Sequence, residues 1–166
     1  DVDRARRLMQ ETPDHPWLRG KAPVLLTAAR LTGQKNIPLL LKTFHRVLRR
    51  CDARLIIIGR GPLHGELVAL SRQLGIRNRV DFAGYQDNPY GFMAASDVFV
   101  LSSDWEGFGN VLVEAMACGT PVVTTRVTGT EEVVVDGQSG LSVPPRDPDE
   151  LANAITKVLQ SRDLAN

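Results

Sequence analysis

Short, unbroken apolar runs alternate with segments of helical periodicity along most of this 166-residue sequence. Residues 53–59, ARLIIIG, are rich in β-branched side chains without polar alternation, which is typical of a strand covered on both faces. Residues 37–48 instead place apolar side chains three or four positions apart, as one face of a helix does. Repeated along the chain, this alternation predicts an α/β fold, a parallel sheet with helices on both faces.

The predicted strands are residues 24–29, 53–59, 79–84, 97–103, 120–125 and 141–143, and the predicted helices are 37–48, 63–74, 89–95, 110–118 and one that follows Asp147. Asp147 and Pro148 form a strong helix start, because aspartate is a common N-cap and proline a common first helical residue. Gly75 and Gly119 close helical segments, and Gly75 is predicted to be a left-handed cap. Residues 131–136 are ambiguous, and we interpret them as a helical turn.

Composition narrows the class of protein. The length suits about one domain, and we assign residues 1–21 to a lead-in or interdomain segment and residues 22–166 to the domain. A hydrophobic fraction of 43% and a net charge of +1 argue against disorder and against a nucleic-acid binder. No apolar run is long enough to span a membrane, and the charged first residues do not resemble a signal peptide. Cys51 and Cys118 are too far apart for a CxxC metal site. We expect a soluble protein of a reducing compartment.

In parallel α/β sheets, ligands bind at the carboxyl ends of the strands, near the point where the strand order reverses. Five stretches of this sequence follow predicted strands: 30–36, 59–62, 84–87, 102–110 and 125–132. They hold most of the unusual polar residues. We therefore look for the functional site in these loops.

Residues 106–123, EGFGNVLVEAMACGTPVV, are the most informative of these segments. Glu114 lies in an otherwise apolar helix, where a carboxylate is costly to bury unless donors reach it; pairing with an arginine or capping an amide would also explain it. Glu106 precedes the helix, and Gly107 and Gly109 leave the first helical N–H groups open to an anion or a hydroxylated ligand, or form only a turn. Trp105 could line a pocket, although an aromatic residue at a strand end is more often a core residue.

Arg30 and Lys35 follow the first strand and could hold a diphosphate, although most basic loop residues are only solvated. The turn at 59–62 resembles a dinucleotide fingerprint only superficially, because its third glycine is one position late. His15, His45 and His64 are scattered without metal-ligand spacing, so no metal site is predicted.

Five motifs then occur in order: AARLTGQK (28–35), LIIIGRGP (55–62), VDFAG (80–84), ASDVFVLSS (95–103) and a G-x-x-E-x-V-x-D-G-x-x-G-L pattern (129–141). With the two glutamates of 106–123, they resemble the retaining glycosyltransferases of family 4, also called group 1. The resemblance covers about residues 22–160. It implies the GT-B fold, in which two Rossmann-like domains face each other across a cleft. This chain resembles the C-terminal domain, which binds the nucleotide sugar.

The resemblance also implies site residues. Arg30 and Lys35 correspond to the pair that binds the donor diphosphate, Glu114 to the glutamate that accepts the ribose hydroxyls, and Glu106 to the one near the donor sugar; Glu106, Arg30 and Lys35 are the expected catalytic residues. The base would lie along 82–85 and 59–62. The predicted nucleotide-sugar-binding residues are Arg30, Lys35, Gly59, Gly61, Tyr85, Glu106, Gly107, Phe108, Gly109, Asn110, Val111 and Glu114.

The expected activity is retaining transfer of a sugar from a nucleotide-diphosphate donor, UDP favoured over GDP or ADP, to a hydroxyl of a glycan, lipid or small molecule. No cofactor, metal or nucleic acid is expected. An N-terminal acceptor domain is expected to lie outside this chain, which would then bind donor without transferring sugar. A cytoplasmic location is expected, with peripheral membrane association through that other domain.

One departure from the family and two alternative functions remain. Thr128, Gly129 and Thr130 stand where the family commonly has Gly-Gly, which weakens the expectation of phosphate contacts in that loop. A sugar-nucleotide 2-epimerase of the same architecture and a non-catalytic nucleotide-binding module are the alternatives.

Overall fold

A computed structural model describes residues 2–165, with the side chains of residues 2–162. Its strands are β1 (Val24–Ala28), β2 (Arg54–Ile58), β3 (Val80–Gly84), β4 (Val98–Leu101), β5 (Val122–Thr125) and β6 (Leu141–Val143). Its α-helices are α1 (Val2–Gln10), α2 (Ile37–Leu48), α3 (His64–Gln73), α4 (Pro89–Ala95), α5 (Asn110–Ala117) and α6 (Pro148–Ala165). These elements form one sheet with helices packed against it.

The sheet contains six strands in the order β3-β2-β1-β4-β5-β6, and all neighbouring strands are parallel. The chain moves outward from β1 to β3 and then returns to the other side of β1 to add β4. The strand order therefore reverses between β1 and β4, where Leu25 pairs with Val98. Ligands of doubly wound sheets bind at this switch point, at the carboxyl ends of the strands.

The two faces of the sheet bury two separate cores, because successive side chains of a strand point to opposite faces. In β1, Leu25 lies in the core covered by α2, α3 and α6, and Leu26 lies in the core covered by α4 and α5. Both side chains are fully buried. Burial on both faces explains the unbroken apolar strands of the sequence, and the predicted fold class is confirmed.

Most predicted elements match the observed ones to within two residues at each end. Gly75 adopts the predicted left-handed conformation, with φ of 71°. Asp147 accepts a hydrogen bond from the Glu150 amide (3.0 Å), as the predicted N-cap of α6 does. In the segment 131–136, interpreted as a helical turn, the amides of Glu131 and Val134 donate to the carbonyls four residues earlier (3.3 and 3.0 Å), and an isolated bridge between Asp136 and Gly140 follows.

Residues 2–19 pack onto the sheet domain. Helix α1 lies against α4, and the Asn88 side chain donates a hydrogen bond to the Leu8 carbonyl (2.8 Å). His15 Nε2 lies 2.7 Å from Asp81 on β3. The role of residues 1–21 as an interdomain segment stays a prediction. Within residues 2–165, no helix combines the length and hydropathy that crossing a membrane requires.

Candidate functional site

An ion pair joins the loops that follow β1 and β4. Lys35 Nζ lies 2.7 Å from Glu106 Oε1, and the two side chains are only 17% and 8% exposed. The hydroxyl of Ser103 donates to the same carboxylate oxygen at 2.6 Å. Because these loops leave the sheet on either side of the switch point, two predicted site residues 71 positions apart in the chain meet where a ligand is expected.

Backbone and side-chain hydrogen bonds hold these two loops together. Ser102 donates to the carbonyls of Lys35 and Asn36, both at 3.1 Å, and the Asp104 amide donates to the Gln34 carbonyl at 2.9 Å. Asn36 has a φ of 44°, caps α2 and donates from Nδ2 to Asp104 at 3.0 Å. These bonds fix the backbone from which the Lys35 side chain extends toward Glu106.

Helix α5 begins beside the ion pair. Gly109 is its N-cap in the left-handed conformation (φ 75°), and no side chain that the structure describes caps the helix. The Leu112 amide donates to the Gly109 carbonyl at 3.0 Å, and the N–H groups before it lie at the positive end of the helix dipole. Phe108 and Asn110 beside them are exposed. This end of α5 can receive an anion or hydroxyl oxygens.

Gly129 closes the site from the loop after β5. Its φ is 88°, and a Cβ there would collide with the carbonyl oxygen of Glu106. The Glu106 amide in turn donates to the Thr128 carbonyl at 3.1 Å. Gly129, in the Thr128–Gly129–Thr130 sequence that departs from the family pattern, thus supports the backbone of Glu106.

Glu114 lies one turn into α5 and is half-buried. Within the described part of the chain, no group donates a hydrogen bond to its carboxylate, and it forms no ion pair. The alternative in which it pairs with an arginine is therefore wrong. Burial raises the pKa of the Glu114 carboxyl. The pKa of the half-buried Cys118 thiol is also raised, mainly by burial and secondly by the nearby Glu114 carboxylate. The carboxylate can accept hydrogen bonds from a ligand.

Arg30 is exposed, and its guanidinium makes no hydrogen bond or ion pair with the described residues. The turn that contains Gly59 and Gly61 packs directly on the backbone next to Arg30. A Cβ at Gly59, whose φ is 131°, would overlap the Ala29 carbonyl, and one at Gly61 would press on the Leu31 backbone. These two glycines therefore have a packing role, and their predicted ligand contacts stay a prediction.

Aromatic side chains surround this edge of the sheet. The ring of Tyr85 is exposed and lies under the Arg60 guanidinium, 5.1 Å from its carbon to the ring centroid. Trp105 is 57% exposed, so the alternative of a core residue is wrong. This exposed tryptophan directly precedes Glu106 in the sequence.

Sequence reasoning named both members of the ion pair but missed the polar residues that hold them. Ser103, Asn36 and Asp104 received no role. A usable signal was present for Ser103, because it directly follows the predicted strand and precedes Glu106 by three positions. The contact of Asn36 with Asp104 depends on which strands are neighbours, and the local pattern does not contain that information.

The site thus combines two kinds of groups: cations and a helix N-terminus, which suit phosphate, and carboxylates, which suit hydroxyls. The fold places the protein in the class of Rossmann-like α/β proteins, whose ligands bind at this edge. The chain belongs to the family of group 1 glycosyl transferases, whose model matches residues 10–166.

Three known proteins illustrate the similarity. The lipopolysaccharide core biosynthesis glycosyltransferase LpsE of Rhizobium meliloti is 37% identical over 163 residues, which are 98% of this chain and 44% of LpsE. The N-acetylgalactosamine-N,N'-diacetylbacillosaminyl-diphospho-undecaprenol 4-alpha-N-acetylgalactosaminyltransferase of Campylobacter jejuni is 34% identical over 87% of this chain and 39% of its own length. The structure of Anabaena HepE with UDP-glucose has a TM-score of 0.81 at 30% identity, covering 86% of this chain and 40% of HepE. The chain therefore spans less than half the length of these relatives.

Proposed function

We propose that this chain is the nucleotide-sugar-binding half of a retaining glycosyltransferase of family 4. It would bind a UDP-sugar whose sugar is transferred to a hydroxyl of a glycan, a lipid or a small molecule. The observation that carries the proposal is the Lys35–Glu106 pair at the switch point, beside the open N-terminus of α5. Its two residues come from separate family motifs.

Arg30 and Lys35 are proposed to bind the diphosphate. Cleavage of the bond between sugar and phosphate leaves a nucleoside diphosphate on which negative charge grows, and fixed cations stabilise that charge. Arg30 is free to form a bidentate contact with phosphate oxygens. In this proposal the two side chains supply the stabilising charge, and no cofactor or metal ion takes part.

The remaining predicted residues contact the rest of the donor. Glu114 accepts hydrogen bonds from the ribose hydroxyls, which explains why its carboxylate lacks a protein donor. Glu106 contacts the hydroxyls of the donor sugar. The backbone of residues 107–111 meets the phosphate or sugar, and the base lies between Tyr85 and the turn at Gly59 and Gly61.

The similarity to HepE supports UDP as the nucleotide, because HepE structures with UDP and with UDP-glucose resemble this chain at 31% and 30% identity. The names of the relatives support a glycan or lipid-linked acceptor: one is a lipopolysaccharide core enzyme, and another names a diphospho-undecaprenol. Such acceptors fit an enzyme that works at a membrane surface. We propose that the acceptor site belongs to the part of these longer proteins that this chain does not span.

Calorimetric titration of the chain with UDP, GDP and ADP, and with the three corresponding monophosphates, tests the proposed function. We expect UDP to bind most tightly, and each nucleoside diphosphate to bind more tightly than its monophosphate. If none of the three bound at millimolar concentration, the proposed function would be wrong. If GDP bound most tightly, the donor would have to be reassigned.

A further inference from the structure

Two buried hydroxyls lead from the centre of the sheet to Glu106. Ser103 and Thr125 are both fully buried. Thr125 Oγ1 donates to the Ser103 carbonyl at 2.7 Å, and Ser103 Oγ donates to Glu106 Oε1 at 2.6 Å. These two hydrogen bonds connect the carboxyl ends of β5 and β4 to the site. The position of the Glu106 carboxylate is therefore defined by rigid elements of the sheet.

The two oxygens of Glu106 differ in their surroundings. Oε1 receives both the Ser103 hydroxyl and the Lys35 ammonium group. Oε2 receives no hydrogen bond from the described part of the chain and is not fully buried. A carboxylate oxygen with unused acceptor capacity can bind a ligand hydroxyl.

We infer that Ser103 is a positioning residue that fixes Glu106 Oε1, so that Oε2 is presented to the hydroxyls of the donor sugar. This inference rests on the proposed function and goes beyond it by naming the group that orients Glu106. A diphosphate competes for the Lys35 ammonium group. Ser103 then remains the neutral donor that holds Oε1 whether or not Lys35 turns to the phosphate.

A structural role for Ser103 would have a different signature. If its hydroxyl only satisfied a buried carboxylate, Ser103→Ala would lower stability and weaken all ligands of the site alike. Positioning predicts a selective effect, because only the sugar touches Oε2. The contrast between UDP and a UDP-sugar therefore separates the two roles.

The experiment titrates wild type, Ser103→Ala and Ser103→Thr with UDP, UDP-glucose, UDP-galactose and UDP-N-acetylglucosamine, and compares each variant with wild type for each ligand. For the UDP-sugar that wild type binds best, we expect Ser103→Ala to lose about 5- to 20-fold in affinity, since a hydrogen bond to a charged group is lost. UDP should change by less than about twofold. Ser103→Thr keeps the hydroxyl and should restore most of the loss.

Ser71→Ala is the matched control. Its hydroxyl is fully buried and donates to the Val68 carbonyl at 2.6 Å, away from the site. The Ser71→Ala substitution removes the same kind of buried hydroxyl with a hydrogen bond of the same length. We therefore expect it to lower the melting temperature without changing the affinity for any ligand. If Ser103→Ala does not fold, Thr125→Val gives the second test and should weaken UDP-sugar binding more than UDP binding.

Equal losses for UDP and every UDP-sugar, in Ser103→Ala or in Thr125→Val, would overturn the inference and leave the proposed function intact. An unchanged affinity for every UDP-sugar in a folded Ser103→Ala would also overturn it. Failure of wild type to bind UDP or any UDP-sugar would instead overturn the proposed function, and the inference with it.

Discussion

At the scale of single residues, the site contains two carboxylates in opposite situations. Glu106 is buried, and Lys35 and Ser103 both bind its Oε1. Glu114 is half-buried without a donor in the described part of the chain, and burial raises its pKa. The first carboxylate is held in place before any ligand arrives, whereas the second can be satisfied by one. A site that is ready for a ligand commonly contains such a destabilising group.

Glu114→Gln should stabilise the ligand-free chain at neutral pH. Because the native pKa of Glu114 is raised, the ionised form is disfavoured in the fold, and stability is lost as pH rises through that pKa. The variant should therefore melt above wild type at pH 7, by less than the roughly 2–4 °C that 1 kcal/mol gives at this size. Thermal unfolding at several pH values measures the difference.

The difference should vanish below about pH 4, where the carboxyl is protonated in both folded and unfolded chains. A variant equally stabilised at pH 4 and pH 7 would contradict the assigned cause. Loss of this carboxylate should have the opposite effect on UDP binding. We expect Glu114→Ala to bind UDP about 1–3 kcal/mol more weakly than wild type, because the ribose hydroxyls lose their partner.

Arg30→Ala should weaken UDP more than UMP. The Arg30 side chain is exposed and has no partner among the described residues, so its loss should leave the melting temperature almost unchanged. A charge-assisted contact to the diphosphate predicts a loss of about tenfold for UDP. Calorimetry with both nucleotides measures it, and Arg49→Ala, at the end of α2, serves as an exposed arginine control. Equal losses for UMP and UDP would require a different role for Arg30.

At the scale of elements, the sequence predicted the strands and helices well because each is buried on a defined face. The unbroken run of β2 and the helical spacing of α2 are both consequences of burial. Residues 131–136 could not be predicted in the same way. Their conformation depends on Thr130, whose hydroxyl bonds the Val127 amide and the Thr125 carbonyl, and on pairing of Asp136 with Gly140.

Gly129→Ala tests how the loop after β5 supports Glu106. Gly129 and Gly75 both have positive φ, but only at Gly129 would a Cβ collide with backbone, that of Glu106. Gly75→Ala should cost about 1 kcal/mol from backbone conformation alone. We expect Gly129→Ala to cost at least about 1 kcal/mol more and also to weaken UDP-sugar binding. Denaturant unfolding and calorimetry measure these effects; equal stability of the two variants would show that the loop yields freely.

At the scale of the whole molecule, the class of fold could be predicted, and so could the edge of the sheet that carries the site. The strand order could not, because the same alternation of strands and helices fits several orders. The order matters for the site: Lys35 meets Glu106 only because β1 and β4 are neighbours. The packing of α1 against α4 could not be predicted either, because α1 contains no buried residue that would indicate which of its faces packs on the domain.

The chain alone should bind donor without transferring sugar at enzymatic rates. The relatives are more than twice as long, and we propose that the acceptor site lies in the part that this chain does not span. Incubation with a UDP-sugar and candidate acceptors, followed by measurement of released UDP, checks this. Turnover of about 1 per second or more would contradict the proposed division of the site.

We propose above all that a nucleoside diphosphate binds at the carboxyl ends of the strands, between the loops after β1 and β4 and the start of α5. Titration of the ¹⁵N-labelled chain with UDP, followed by amide chemical shifts, tests it most directly. We expect the largest shifts in residues 29–36 and 103–114, with smaller shifts at 59–61 and 84–86. Shifts confined to the opposite edge of the sheet, around Pro121 and Leu141, would contradict it.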